Sequence, residues 1–221
     1  MESLLLEFIE VSHVIEPGMK TYPGLPEPRS EVLWDYDSSR GRYNDQAEFF
    51  IASLHLCGNT GTYVDSPVHR GAADLAGLPL ARLAHLPVAV VDARGWASRG
   101  VGPDAFAELD VGGRAVLVNT GWSSRWGSGS YFESNPFLTA EACELLVRRG
   151  AAFVGIDSLN IDDMQDLARP AHTILLGSGV PVCEHMTNLA AVPPGGFLHA
   201  VPIAWKGGAT FPVRAYVMKY R

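Results

Sequence analysis

The sequence predicts an α/β fold: a single domain over residues 1–221, with a mixed, strand-rich central sheet or partial barrel flanked by helices. Three observations predict it. Short apolar runs bounded by turn residues recur at LPVAVVDA (86–93), RAVLVNT (114–120) and AAFVGIDS (151–158), and these read as buried strands. The 23 glycines and 15 prolines are spread through the chain, which suits many short strands joined by turns. Helical signals are few, and only one segment carries both a start and a stop.

Taken in order, LLLEFIEVSHVI (4–15) reads as a strand. Residues 16–30 contain Pro17, Pro23, Pro26 and Pro28, which rule out a helix there. AEFFIASLHLC (47–57) alternates as a strand leading into a loop that carries Asp65. Pro103–Leu109 is expected as a short helix. Gly121–Pro136 is a long polar loop, of a length that is often functional. Residues 139–150 form the clearest helix: Thr139 caps the start, Glu141 suits the first turn, Arg148 and Arg149 the last, and Gly150 the stop. A further helix is expected over His172–Leu176, and two strands near Phe197–Trp205 and Phe211–Tyr220 finish the chain.

Composition narrows the function classes. The net charge is −7 and basic residues are scattered, which argues against nucleic acid or an anionic membrane as partner. No run of 18 apolar residues occurs, so no membrane span is expected. The apolar Leu4–Leu6 is flanked by acids and lacks a basic n-region, so no signal peptide is expected and the default location is cytoplasmic. Three cysteines, far apart and odd in number, argue for a reduced compartment rather than a disulfide framework.

The segment Asn59–His69 places Asp65 and His69 four residues apart, in a stretch whose Gly61 and Pro67 fix the backbone and exclude a helix. Turn hydrogen bonds for Asp65 and a surface position for His69 are the plain alternative. Glu184 follows the apolar Val-Pro-Val-Cys run, and a carboxylate at the end of a buried strand needs a partner: a cation, an arginine or a backbone cap. His172 precedes it by twelve residues. Together Asp65, His172 and Glu184 are the ingredients of a metal-assisted hydrolytic site. His13, His55, His85, His185 and His199 occur singly on apolar backgrounds and read as structural. There is no G-x-S-x-G elbow, no phosphate-binding loop and no G-x-G-x-x-G motif. Cys183 beside Glu184 is expected to have a raised pKa, not an activated thiolate.

GTYVDSPVH (61–69) resembles the H-x-G-T-H-x-D-x-P-x-H signature of the bacterial kynurenine formamidase or cyclase family of metal-dependent hydrolases. The likeness extends to PGMKTYPG (17–24), to GIDSLNID (155–162), and to His172, Glu184 and the following Asn188-Leu189. The resemblance implies that Asp65, His172 and Glu184 are metal ligands, that His69 is the acid/base, and that Tyr22 contacts substrate. Asn59 and Tyr63 stand where the family carries two ligand histidines, and neither amide nor phenol matches imidazole as a zinc donor. One divalent ion, Zn or Mn, is therefore expected, with Tyr63 joining the catalytic groups and Asn59 the substrate-binding ones. The implied activity is hydrolysis of a small aryl formamide, lactone or lactam. A ring closure or dehydration run by an acid/base pair, and a non-catalytic small-molecule-binding protein, are the alternatives. The resemblance also implies a homo-oligomer, dimer or tetramer. Trp122, Trp126 and Tyr131 either wall the substrate or bury themselves.

Overall fold

The structure is a computed structural model and describes residues 6–67 and 73–220. In chain order its strands are β1 (Leu6–Glu10), β2 (Arg29–Trp34), β3 (Ile51–His55), β4 (Tyr63–Asp65), β5 (Ala84–Asp92), β6 (Gly100–Val101), β7 (Ala115–Asn119), β8 (Phe137–Leu138), β9 (Phe153–Ile156), β10 (Val182–Glu184), β11 (Phe197–His199), β12 (Thr210–Pro212) and β13 (Tyr216–Tyr220). Its α-helices are α1 (Tyr36–Arg40), α2 (Ala140–Arg148) and α3 (Pro170–Gly177).

Nine strands form one mixed sheet in the order β1-β13-β11-β5-β7-β9-β10-β4-β12. The central β5, β7, β9 and β10 are parallel neighbours, and antiparallel pairs extend the sheet on both sides. β12 is one edge and β13 lies next to the other, yet only residues 213–215 separate them in the chain. Four Cα–Cα steps reach about 15 Å at most, so the sheet must curl until its ends meet. They do meet: Val213 N donates to Thr62 O at 2.9 Å, Val11 N to Ala215 O at 2.9 Å, and His13 N to Thr62 Oγ1 at 3.0 Å. The expected partial barrel is what this geometry builds.

Strand alternation divides the interior. Val64, Leu117, Phe153, Cys183, Leu198 and Val217 come from strands around the whole sheet and fill one core. Val116, Val118, Val154 and Val182 face the other way, against Cys143 and Leu146 of α2 and Leu175 and Leu176 of α3. Thr139 caps α2 by accepting from Ala142 N, and Gly150, at φ +76°, follows its end.

Several expectations change in detail. Asp65 closes strand β4 rather than sitting in a loop, because β10 and β12 both pair with it. Residues 103–109 give only a 3-10 turn over Pro103–Phe106. The strand expected to reach Trp205 stops at His199, where Ala200 N turns to Leu83 O and Pro202 has no amide to offer a ladder. The run 211–220 is two strands in different parts of the sheet. The β2 strand and α1 were not anticipated. No helix among the described residues is long and apolar enough to cross a membrane.

Candidate active site

β4 and β10 run antiparallel with Tyr63 opposite Glu184 and Asp65 opposite Val182. Residues two apart on a strand share a face, so Tyr63, Asp65 and Glu184 project to the same side, opposite to the core residues Val64 and Cys183. Helix α3 lies on that side and brings His172.

The start of α3 is set by Asp162. Pro170 occupies the first helical turn, where its missing amide costs nothing. The Asp162 carboxylate accepts Ala171 N at 2.6 Å and His172 N at 3.3 Å, satisfying orphan donors of the first turn. The same Oδ2 meets His172 Nδ1 at 2.6 Å. A carboxylate only accepts, so Nδ1 carries the hydrogen and Nε2 is left to face Asp65 and Glu184. It stands 3.6 Å from Asp65 Oδ2 and 3.6 Å from Glu184 Oε1. Burial would raise the Asp162 carboxyl, but its bonds to His172 and to the α3 amides hold it below its ordinary value.

Glu184 is buried and fully engaged: Oε1 accepts Ile161 N at 2.6 Å and Oε2 accepts the Tyr63 hydroxyl at 2.6 Å. Burial raises its pKa, with His172 opposing. Asp65 Oδ1 accepts the Thr210 hydroxyl from β12. Burial, Glu184 and Asp65 push the Tyr63 phenol well above its usual value, and a hydrogen bond with Asn59 pulls the other way. Burial alone would lower His172, but Glu184, Asp162 and Asp65 outweigh it and push the imidazole up to about 10. As expected, Cys183 is driven far up by burial, then by Asp65 and Glu184.

These groups form the floor of a cavity of about 340 Å³ that Tyr22, Leu25, Asn59, Arg169 and Leu176 also line. One ligand atom each from Asp65, His172 and Glu184 lie within 4.8 Å of one another. Donors on a tetrahedral ion with bonds of about 2.0–2.2 Å stand about 3.3–3.6 Å apart. Two carboxylates and an imidazole whose outer nitrogen is tied to a third carboxylate therefore fit a divalent cation.

The fold thus brings Asp65, His172 and Glu184 together and places Tyr63, Asn59 and Tyr22 around the same cavity. His69 lies outside the described residues. Trp122, Trp126 and Tyr131 do not line the cavity. Trp126 stacks on His13 at 3.9 Å, Trp122 lies under the Arg125 guanidinium at 4.0 Å, and Tyr131 is buried with its hydroxyl 2.8 Å from His185 Nδ1. Asp162, Arg169 and Thr210 were missed. Asp162 closes the GIDSLNID segment and Arg169 directly precedes Pro-Ala-His, but only the tertiary arrangement gives either a role.

Comparison with known proteins places the fold. A kynurenine formamidase from Salinibacter ruber is 30% identical over 214 residues, covering 95% of this chain and 96% of that protein. A solved potential metal-dependent hydrolase with cyclase activity superposes with a TM-score of 0.79 at 25% identity, covering 98% of this chain and 100% of that one. Isatin hydrolase A from Labrenzia aggregata, bound to benzyl benzoate, shares the fold with a TM-score of 0.83 at 23% identity, over 98% of this chain and 94% of that one. Residues 9–163, more than half of the sequence, match the Cyclase family, and the chain belongs to that family.

Proposed function

We propose that the protein is a hydrolase of small amides, cleaving a non-peptide C–N bond of the aryl formamide or lactam type. The observation that carries this reading is the aim of His172 Nε2 at Asp65 and Glu184, with Nδ1 held by Asp162. Kinship with the Salinibacter ruber kynurenine formamidase supports the bond type. Asp65, His172 and Glu184 would hold one divalent ion, zinc or manganese. Such an ion polarises a carbonyl and brings the pKa of water to about 7.

The chain's own groups do the rest. Asp162 keeps a proton on His172 Nδ1, so Nε2, facing Asp65 and Glu184, is the nitrogen that would give up its proton to serve as a ligand. His69 takes a proton from the attacking water and returns one to the departing nitrogen. Tyr63 rotates its hydroxyl from Glu184 toward the oxygen that gains charge. Tyr22, Leu25 and Leu176 enclose the apolar part of the substrate, and Asn59 offers it an amide. A homo-oligomer belongs to the same reading: the β2–β3 ribbon exposes Val32, Leu33, Ile51 and Leu54, with Phe50 just before it, a surface that a second copy would cover.

One observation favours a second reading. Tyr63 and Glu184 form a buried acid/base pair where the family signature has a ligand imidazole. A ring closure or dehydration needs such a pair and no ion.

Elemental analysis of untreated protein, paired with turnover of an aryl formamide, tests the choice. The expected result is about one zinc or manganese per chain, removed with activity by a chelator and absent from Asp65→Ala and Glu184→Ala. Metal content unchanged in both variants would refute the assigned ligands, and a metal-free protein that turns over a cyclisable substrate would favour the second reading.

A further inference from the structure

Arg169 is the one arginine or lysine among the described residues lining the cavity. Its backbone is left-handed, φ 46° and ψ 60°, immediately before Pro170. That conformation is unfavourable for a residue with a Cβ, and a following proline favours extended backbone instead. Strain of this kind persists where the surroundings impose it, and it gathers at functional sites. Its effect here is to lay the guanidinium against His172, with Nη2 3.1 Å from each ring nitrogen. The nearest carboxylate, Asp162 Oδ2, is 3.7 Å from Nε and already serves His172. The side chain is 49% exposed. A guanidinium has five N–H donors in a planar fork; Nη2 and Nε are turned to His172 and Asp162, and the half-exposed side chain lines the cavity.

We propose that Arg169 is a specificity residue that pairs with a carboxylate on the substrate, so that the cavity takes small aromatic acids in preference to their neutral analogues. The inference rests on reading the cavity as the substrate site. Its rival is that Arg169 only neutralises the acidic cluster.

The test uses a matched pair, 2-formamidobenzoate and formanilide, with the wild type and Arg169→Gln, Arg169→Lys and Arg169→Gly. Calorimetric binding of benzoate and benzamide runs beside it. The wild type should favour the carboxylate of each pair by about 10- to 100-fold, the worth of a charge-assisted pair. In Arg169→Gln the preference should collapse through KM rather than kcat, and benzoate binding should fall by a similar factor. Lysine keeps the charge without the fork and should restore part of it. Glycine relieves the left-handed backbone, so Arg169→Gly should melt no lower than the wild type while losing benzoate. A preference unchanged in Arg169→Gln, or a glycine variant that fails to fold, overturns the proposal. If neither formamide is hydrolysed but benzoate binding depends on Arg169, the amide-hydrolase reading falls and this inference stands. If both formamides are hydrolysed equally well, the reverse holds.

Discussion

Tyr63 is buried, lines the cavity, and donates its hydroxyl to the Glu184 carboxylate. Removing that oxygen takes away both the donor to Glu184 Oε2 and the donor available to a substrate oxyanion. Tyr63→Phe should therefore lower kcat by about 10²- to 10³-fold, as loss of a single oxyanion donor does. It should also cost about 1–3 kcal/mol of stability, because a buried acceptor is left unsatisfied. Steady-state kinetics and thermal melts read the two effects separately, and wild-type turnover in this variant would remove the phenol from the chemistry. At this scale the sequence was informative where a polar group sat in an apolar run. Glu184 after Val-Pro-Val-Cys is such a case, and Asp65 between Gly61 and Pro67 is fixed by its neighbours. Asp162 and Thr210 gave no such signal. One acts by capping a helix and holding an imidazole, the other by reaching across a strand pair, and neither relation is written in local sequence.

Among the elements, β4 matters most: it is only three residues long and is held on both sides. β10 pairs with one edge and β12 with the other, so its three residues cannot shift without disturbing both neighbours. Gly58 guards the second of these contacts. A Cβ there would lie 2.3 Å from the backbone oxygen of Thr210, closer than real Cβ contacts allow. Gly58→Ala should push β12 outward, loosen the Thr210–Asp65 bond, and destabilise the protein by about 1–3 kcal/mol, in the range of overpacking. A lower melting temperature together with weakened turnover is the expected pair of readings, and an unchanged melt would mean that β12 yields without strain. Long apolar runs and the capped α2 were legible because their patterns repeat over many residues. β4 was not: three residues set between turn formers are too few to show a period, and their strand conformation comes from partners distant in sequence. α1 did have a local signal, the reciprocal Asp35–Ser38 capping box, though over one turn only.

For the molecule as a whole, burial leaves an acid-sensitive balance. His13, stacked on Trp126, is held down to about 4 by burial. His185 is held down to about 3, by burial and then by His13. In the unfolded chain both imidazoles gain protons near pH 6.5; in the folded protein they stay neutral well below that. The contribution of these two imidazoles to stability is thus intact above pH 6.5 and declines as pH falls toward 4, because the unfolded state binds more protons there; His172, held up to about 10, acts in the opposite range and withdraws stability as pH rises from 6.5 toward 10. Melting temperature should drop steadily between pH 6 and pH 4, and a flat profile would show that these imidazoles are not held neutral. The sheet order was the least legible feature of all, since it depends on pairings between strands far apart in the chain. That order also sets a timetable. The ring of strands shuts only when residues 210–220 are in place, and Thr210 reaches an aspartate made 145 residues earlier. On the ribosome, Asp65 emerges long before its hydroxyl partner exists. If Asp65, His172 and Glu184 hold a cation, its site exists only once Glu184 has been made and Thr210 has fixed Asp65, so an ion would settle into a finished ring rather than seed one.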